Sequence, residues 1–138
     1  MKDDWIQYYS PLLLASKNEV YEWLANRLYP QGVNKKAGIY QALLAREAVG
    51  NIEIDEGVIL PHIENKLVTK TCMMILPLKN RILKWSNEIS QVELIIAVFL
   101  APNESLKIKH QLAVCMRCLA NEQEIKALKE GKKLEIEI

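Results

Sequence analysis

The sequence contains two histidines, and both occupy positions that suit chemistry on an anion. His62 follows Pro61 at the end of an apolar run, where we expect a buried strand to emerge into a loop. His110 lies near the expected start of a helix, whose free N–H groups and partial positive charge attract anions. If both positions lie at one edge of a sheet, two imidazoles and a helix N-terminus face the same anion.

An imidazole at such an edge is suited to carrying a phosphoryl group. Its ordinary pKa of about 6.5 leaves a nucleophilic nitrogen free at neutral pH. A phosphorylated ring nitrogen is also a good leaving group, so donors and cations need only hold the transferring oxygens in line. Position alone favours a plainer alternative, in which His62 is a polar loop residue and His110 a helix surface residue.

The composition indicates an ordinary globular chain, and we expect residues 1–138 to form one domain. Hydrophobic residues make up 50% and charged residues 25%, with a formal net charge of +1. This mixture does not indicate the basic face of a nucleic-acid-binding protein. The longest apolar run, at 94–101, is too short for a membrane span. Three cysteines make an odd count, which disfavours a disulfide framework and predicts a cytoplasmic location.

Helical signals dominate the first third of the chain. Ser16 and Glu19 are spaced as a capping box, ahead of a helix that Pro30 and Gly32 end. A second helix is predicted over about 35–48, with a glycine just past its end.

The helical period returns after residue 102. The third predicted helix carries an apolar stripe made of Ile108, Leu112, Cys115, Met116 and Leu119. Asn121 and Glu124 are predicted to cap a short last helix, which Gly131 ends.

The middle of the chain carries continuous apolar runs of strand length at 58–60, 72–76 and 94–100. Continuous rather than alternating apolarity indicates strands buried on both faces. Each run ends at or just before a proline, and we expect Pro61, Pro77 and Pro102 to mark strand ends. Residues 82–85 and the alternating tail 134–138 are weaker strand candidates. The pattern predicts an α/β fold with a small mixed β-sheet sandwiched by helices.

Two stretches carry a family resemblance. Leu43-Leu44-Ala45-Arg46-Glu47, followed by Gly57-Val58-Ile59-Leu60-Pro61-His62, resembles the enzyme IIA domains of the fructose–mannitol class of the bacterial sugar phosphotransferase system (PTS). Later landmarks are similar in order and spacing: Trp85, Val92, Phe99-Leu100-Ala101-Pro102 and His110-Gln111-Leu112. The resemblance runs over about 16–128 and implies the enzyme IIA fructose/mannitol-like fold.

The resemblance also implies a mechanism. Family members take a phosphoryl group from the phosphocarrier HPr onto the histidine that matches His62. They pass it to a cysteine of a IIB domain, which phosphorylates sugar during uptake. His110 matches a second active-site histidine, and Arg46 matches an arginine that steadies the phosphoryl group, a role that suits the fork of guanidinium donors. No cofactor and no metal are implied.

Two features leave alternatives open. Glu53, Asp55, Glu56 and Glu64 surround His62 in sequence, and carboxylates near a site for a dianion oppose its binding. The chain is therefore also consistent with a IIA-like regulatory or docking module without productive phosphotransfer, or with an unrelated α/β domain. The alternative for Arg46 is a local pair with Glu47.

Other candidate sites favour packing over chemistry. Cys115 and Cys118 form a CxxC, but with His110 they offer at most three ligands, and a buried role is expected for both. Core packing is also expected for Cys72 and for the aromatic residues Trp5, Tyr8 and Tyr9.

Overall fold

The computed structural model describes residues 5–134 of the chain. Its helices are α1 (Lys17–Leu28), α2 (Val33–Val49), α3 (Leu106–Cys118) and α4 (Glu122–Lys129). Its strands are β1 (Ile6–Tyr8), β2 (Glu53–Asp55), β3 (Val58–Ile59), β4 (His62–Glu64), β5 (Cys72–Ile82) and β6 (Val92–Leu100).

These strands form one mixed sheet. Its order is β1-β5-β6-β3-β2, and β4 also pairs with β6, next to β3. β3 and β4 run parallel to β6, whereas β5 runs antiparallel to it. The carboxyl ends of β4 and β6 therefore lie at the same end of the sheet as the start of β5.

Two hydrophobic cores cover the two faces of the sheet. In β6, Ile95, Ala97 and Phe99 pack with α1 and α2, whereas Leu94, Ile96 and Val98 pack with α3 and α4. The prediction from continuous apolar runs is thus confirmed, because successive residues of a strand point to opposite faces and both faces are buried. Trp5 and Cys72 are also buried, as predicted.

Local capping signals place the helix ends. The Ser16 hydroxyl accepts a hydrogen bond from the Glu19 N–H, and the Asn121 side chain accepts one from the Gln123 N–H. The return bond of the first cap differs from the predicted capping box, because the Glu19 carboxylate accepts from the Ala15 N–H instead of that of Ser16. The cap still satisfies a free backbone donor on each side of the helix start.

Pro77 does not end its strand, which corrects the prediction. β5 continues to Ile82, with Pro77 opposite Leu94. The Pro77 carbonyl accepts from the Leu12 N–H at 2.9 Å, on the side away from β6. Because N–H and C=O of one residue point to the same side of a strand, the missing N–H removes no bond from the β5–β6 ladder.

Three further expectations have different outcomes. Residues 83–85 form no separate strand, since β5 ends at Ile82. Met116 lies outside the apolar stripe of α3 and is exposed, whereas Cys115 and Leu119 are buried. The predicted tail strand falls almost wholly on 135–138, outside the described residues.

Candidate functional site

His62 lies at an interrupted edge of the sheet. β3 ends at Ile59 and the chain rejoins β6 at His62, so the histidine begins a strand instead of entering a loop as predicted. The register does not slip across the gap, because the Val98 N–H donates to the Pro61 carbonyl at 2.9 Å. β2 pairs with β3 and not with β4, so among the described residues no further strand pairs with the outer edge at His62.

The imidazole of His62 is held through both ring nitrogens. Its Nδ1 lies 3.2 Å from the Leu60 carbonyl oxygen, and its Nε2 lies 3.3 Å from Nε of Arg46. A carbonyl only accepts, so the proton belongs on Nδ1, and Nε2 carries the lone pair that accepts from the guanidinium. The ring is half-buried. This arrangement points the nucleophilic nitrogen at a cation at the edge of the sheet.

Arg46 reaches this position from the last turn of α2. Its Nη1 donates to the Gly50 carbonyl at 3.1 Å, which satisfies one of the free carbonyls at the helix end. Among residues 5–134 no ion pair joins Arg46 to Glu47, so the local alternative for Arg46 is not what the structure contains. The guanidinium keeps a second terminal nitrogen for a ligand.

Glu47 holds the base of the site together, a role that the sequence analysis missed. Its carboxylate accepts from the Tyr21 hydroxyl at 2.6 Å and from Trp85 Nε1 at 3.0 Å, and it pairs with Lys17 at 3.6 Å. Burial, and then the bond to Glu47, raise the pKa of the Tyr21 phenol far above its ordinary value. These contacts tie α1 and the segment before β6 to the residue next to Arg46.

His110 lies on the exposed side of α3, four residues after Leu106. In the part of the chain that the structure describes, no hydrogen bond or ion pair connects it to His62 or Arg46. α3 packs on one face of the sheet and α2, which carries Arg46, packs on the other. The role of His110 beside His62 stays a prediction.

A buried hydroxyl fixes the segment that leads into α3. Thr71, at the start of β5, donates to the Glu104 carboxylate and accepts from the Ala101 N–H at 2.9 Å. The Glu104 carboxylate also accepts from the Ser105 N–H. These bonds to Thr71 and then to Ser105 lower the pKa of Glu104. The end of β6 and the N-cap of α3 are thereby held at the same sheet end as β4.

Within residues 5–134, none of the acidic residues around His62 forms a hydrogen bond or an ion pair with its ring. Asp55, Glu56 and Glu64 are exposed, and Glu53 is half-buried. Lys129 of α4 donates to the Glu56 carbonyl at 3.3 Å and pairs with Glu93 at 3.5 Å, which holds the β2–β3 turn against α4. The exposed carboxylates around His62 therefore act on a dianion at this residue through solvent, which weakens their repulsion.

The described residues contain no cluster of three or more histidines, cysteines or carboxylates placed to hold a metal. Cys115 is buried in the core under α3, as expected, and Cys118 is half-buried. No helix within residues 5–134 has the length and apolarity to cross a membrane.

The family of the chain is shown by comparison with known protein families. A family model described as the phosphoenolpyruvate-dependent sugar phosphotransferase system, EIIA 2, matches residues 2–136. No curated protein matches the chain significantly in sequence.

Several solved structures share the fold. Nitrogen regulatory protein IIA-Ntr from Neisseria meningitidis has a TM-score of 0.66 and 17% identity, covering 90% of this chain and 83% of that one. IIA mannitol from Escherichia coli has a TM-score of 0.62 and 19% identity, covering 89% and 86%. Enzyme IIA mannitol in its complex with phosphorylated enzyme IIB mannitol, also from Escherichia coli, has a TM-score of 0.60 and 18% identity, covering 89% and 85%. At these identities the likeness shows the fold, and the family model shows the membership: the chain belongs to the EIIA 2 family of the sugar phosphotransferase system.

Proposed function

We propose that this chain is a phosphocarrier, in which His62 accepts a phosphoryl group from phosphorylated HPr and passes it to a cysteine of a IIB domain during sugar uptake. The observation that carries the proposal is the clamp on His62, with Leu60 on Nδ1 and Arg46 on Nε2. This clamp presents one defined nitrogen next to a cation at the surface. Such a pair is what in-line phosphoryl transfer requires.

The proposed acceptance step uses the lone pair of Nε2. As the Nε2–P bond forms, the P–N bond of the donor phosphohistidine breaks and its electron pair returns to the donor ring. The proton on Nδ1 stays on the ring, where the Leu60 carbonyl holds it. No general base is needed, because Nε2 carries no proton in this tautomer.

Arg46 is the proposed stabiliser of the transferring group. In the free protein its Nε–H donates a hydrogen bond to the lone pair of His62 Nε2. The guanidinium must therefore turn away as phosphorus approaches this nitrogen. Its donors then meet the phosphoryl oxygens, whose negative charge they balance. The bond to the Gly50 carbonyl anchors the guanidinium close by during this change of partner.

The onward step reverses the chemistry. A cysteine thiolate of the IIB domain attacks phosphorus, the Nε2–P bond breaks, and Nε2 regains its lone pair. His110 is the proposed second histidine, which donates to the phosphoryl oxygens after a partner has docked. Its side chain is exposed on α3 and therefore accessible to a docked partner.

A regulatory module is the second candidate function. In it the phosphorylated or unphosphorylated state of His62 is read by another protein instead of being passed to sugar. The carboxylates of Glu53, Asp55 and Glu56 oppose a dianion beside His62, and this favours a regulatory or docking module without productive phosphotransfer over a carrier. The fold likeness to IIA-Ntr is compatible with it.

The decisive experiment is phosphorylation with phosphoenolpyruvate, enzyme I and HPr from the source organism. The wild type is compared with His62→Ala, His62→Gln and His110→Ala, each first checked for folding by circular dichroism. We expect an acid-labile phosphate on the wild type, none on either His62 variant, and slower labelling of His110→Ala. Unlabelled wild type contradicts the phosphocarrier, and label lost only in His110→Ala exchanges the two roles.

A chase separates the two candidates. The labelled protein is mixed with IIB domains from the same organism, and the phosphate is followed on both proteins. Transfer to a IIB cysteine supports the carrier in sugar uptake. Label that stays on His62 with every IIB domain supports the regulatory module.

A further inference from the structure

We propose a second binding site, for a small organic anion with an aromatic or apolar body, in the cavity between the C-terminal end of α1 and the edge strand β1. The cavity has a volume of about 570 Å³. That is within the range of about 300–1,000 Å³ typical of small-molecule sites. Its floor is formed by Cys72 and Met74 of β5, and its rim by the β4–β5 loop.

The charge of the cavity indicates an anion. Arg27 and Lys70 line it from opposite elements, and none of the described residues that line it is an aspartate or glutamate. Within residues 5–134 neither cation forms an ion pair. Two cations without a carboxylate between them give a positive potential, which a bound carboxylate or phosphate neutralises.

Arg27 is already oriented for such a ligand. Its Nε donates to the Tyr9 hydroxyl at 3.0 Å, and its guanidinium lies over the Tyr9 ring at 5.3 Å from the centroid. Tyr9 is itself held, because its hydroxyl donates to Gln7 at 2.8 Å and its ring packs edge-on against Trp23. The two terminal nitrogens of the guanidinium form no hydrogen bond in the described part of the chain, so they are available as a fork for an oxyanion.

The rest of the wall suits an apolar or aromatic body. The Tyr29 hydroxyl donates to the Leu67 carbonyl at 2.6 Å, which fixes this ring against the β4–β5 loop. Leu28, Leu67 and Met74 add apolar surface. Rigid aromatic and aliphatic walls with a few placed polar groups are the usual composition of small-ligand sites.

This cavity is separate from the His62 site and does not depend on the proposed phosphotransfer. Cys72 pairs with Phe99, and Phe99 pairs on its other side with Ile63, so β6 lies between the cavity floor and β4. Two strand spacings correspond to about 10 Å. The residues of the two sites do not overlap.

The test is titration of uniformly 15N-labelled protein with phenyl phosphate, followed by two-dimensional NMR. Benzyl alcohol is the uncharged comparison, and inorganic phosphate is the comparison without an apolar body. The Arg27→Gln/Lys70→Gln double variant removes both cations. The matched control is Arg81→Gln/Lys84→Gln, which removes the same charge from exposed positions at the end of β5 and just beyond it.

We expect saturable shifts of the amides of residues 7–9, 27–29 and 67–74 with phenyl phosphate, and weaker binding of both comparison probes. The Arg27→Gln/Lys70→Gln variant should bind about tenfold or more weakly, as for the loss of one charge-assisted hydrogen bond, and the control should bind as the wild type does. Shifts confined to the surroundings of Arg46 and His62, no saturation, or equal weakening in the two double variants would overturn the proposal.

Discussion

The Tyr21 hydroxyl donates a 2.6 Å hydrogen bond to Glu47, the residue directly after the arginine that contacts His62. The same carboxylate accepts from Trp85, which lies 38 residues away in sequence. One half-buried carboxylate therefore joins α1, α2 and the segment before β6 beneath the candidate site. The position of Arg46 rests on this junction.

Replacing Glu47 by Ala should destabilise the protein by roughly 1–3 kcal/mol, because the Tyr21 hydroxyl and Trp85 Nε1 lose their partner. Urea denaturation followed by circular dichroism measures the effect. Glu88→Ala is the control, since its exposed side chain makes no hydrogen bond in the described residues. If the free energy of unfolding falls no further in Glu47→Ala than in Glu88→Ala, Glu47 does not hold the base of the site together.

Replacing Arg46 by Lys should slow labelling of His62 by phosphorylated HPr about 10–100-fold, because a point charge replaces the fork that meets the phosphoryl oxygens. Stopped time courses of label transfer give the rate. Arg81→Lys, which changes an exposed arginine bonded to Gln91, should react at the wild-type rate. Equal rates for Arg46→Lys and the wild type would remove Arg46 from the proposed mechanism.

The bond between Thr71 and Glu104 should make stability depend on pH. The folded pKa of Glu104 lies below its ordinary value of 4.5, so the carboxylate adds stability above that pH and the contribution disappears as the pH falls through the folded pKa. Glu104→Gln should therefore be less stable than the wild type at pH 7, and the gap should shrink below about pH 4.

Unfolding midpoints of Glu104→Gln and the wild type, measured between pH 7 and pH 3, test this. Thr71→Val should abolish most of the pH dependence that Glu104 contributes, since it removes the first cause of the lowered pKa. If the difference in unfolding midpoint between Glu104→Gln and the wild type stays constant with pH, the hydrogen bond from Thr71 does not stabilise the charged form of Glu104.

Gly57 and Gly131 offer a matched pair. Both have a positive φ, +75° and +84°, so alanine at either site incurs a backbone cost of about 1–2 kcal/mol. Only at Gly57 does an added Cβ meet a neighbour, since it would lie 2.9 Å from Oε2 of Glu93, whereas nothing lies within 4 Å at Gly131.

Gly57→Ala should therefore be the more destabilising of the two in thermal unfolding. It should also weaken the pairing of Glu93 with Lys129, which holds the turn before the His62 strand. Equal losses in stability would show that the Glu93 side chain moves aside without cost.

Local signals in the sequence predicted much of the fold. Helix starts follow from local chemistry, because the caps Ser16 and Asn121 bond to N–H groups of nearby residues. Burial on both faces of the sheet follows from the continuous apolar runs, because successive residues of a strand point to opposite faces. The prediction that Pro77 ends its strand was wrong. The effect of the missing N–H depends on which side of the strand it faces. That side is decided by pairing partners that are distant in sequence.

The sequence by itself also determined the nucleophile candidate, because only two histidines exist and one follows an apolar strand and a proline. Only the tertiary structure decided what surrounds it. Arg46 and His62 are 16 residues apart and meet because α2 packs over the sheet edge that Pro61 interrupts. The Glu47 junction and the Arg27 cavity likewise join residues from separate elements, and such contacts depend on how helices pack on the sheet, which no local pattern specifies.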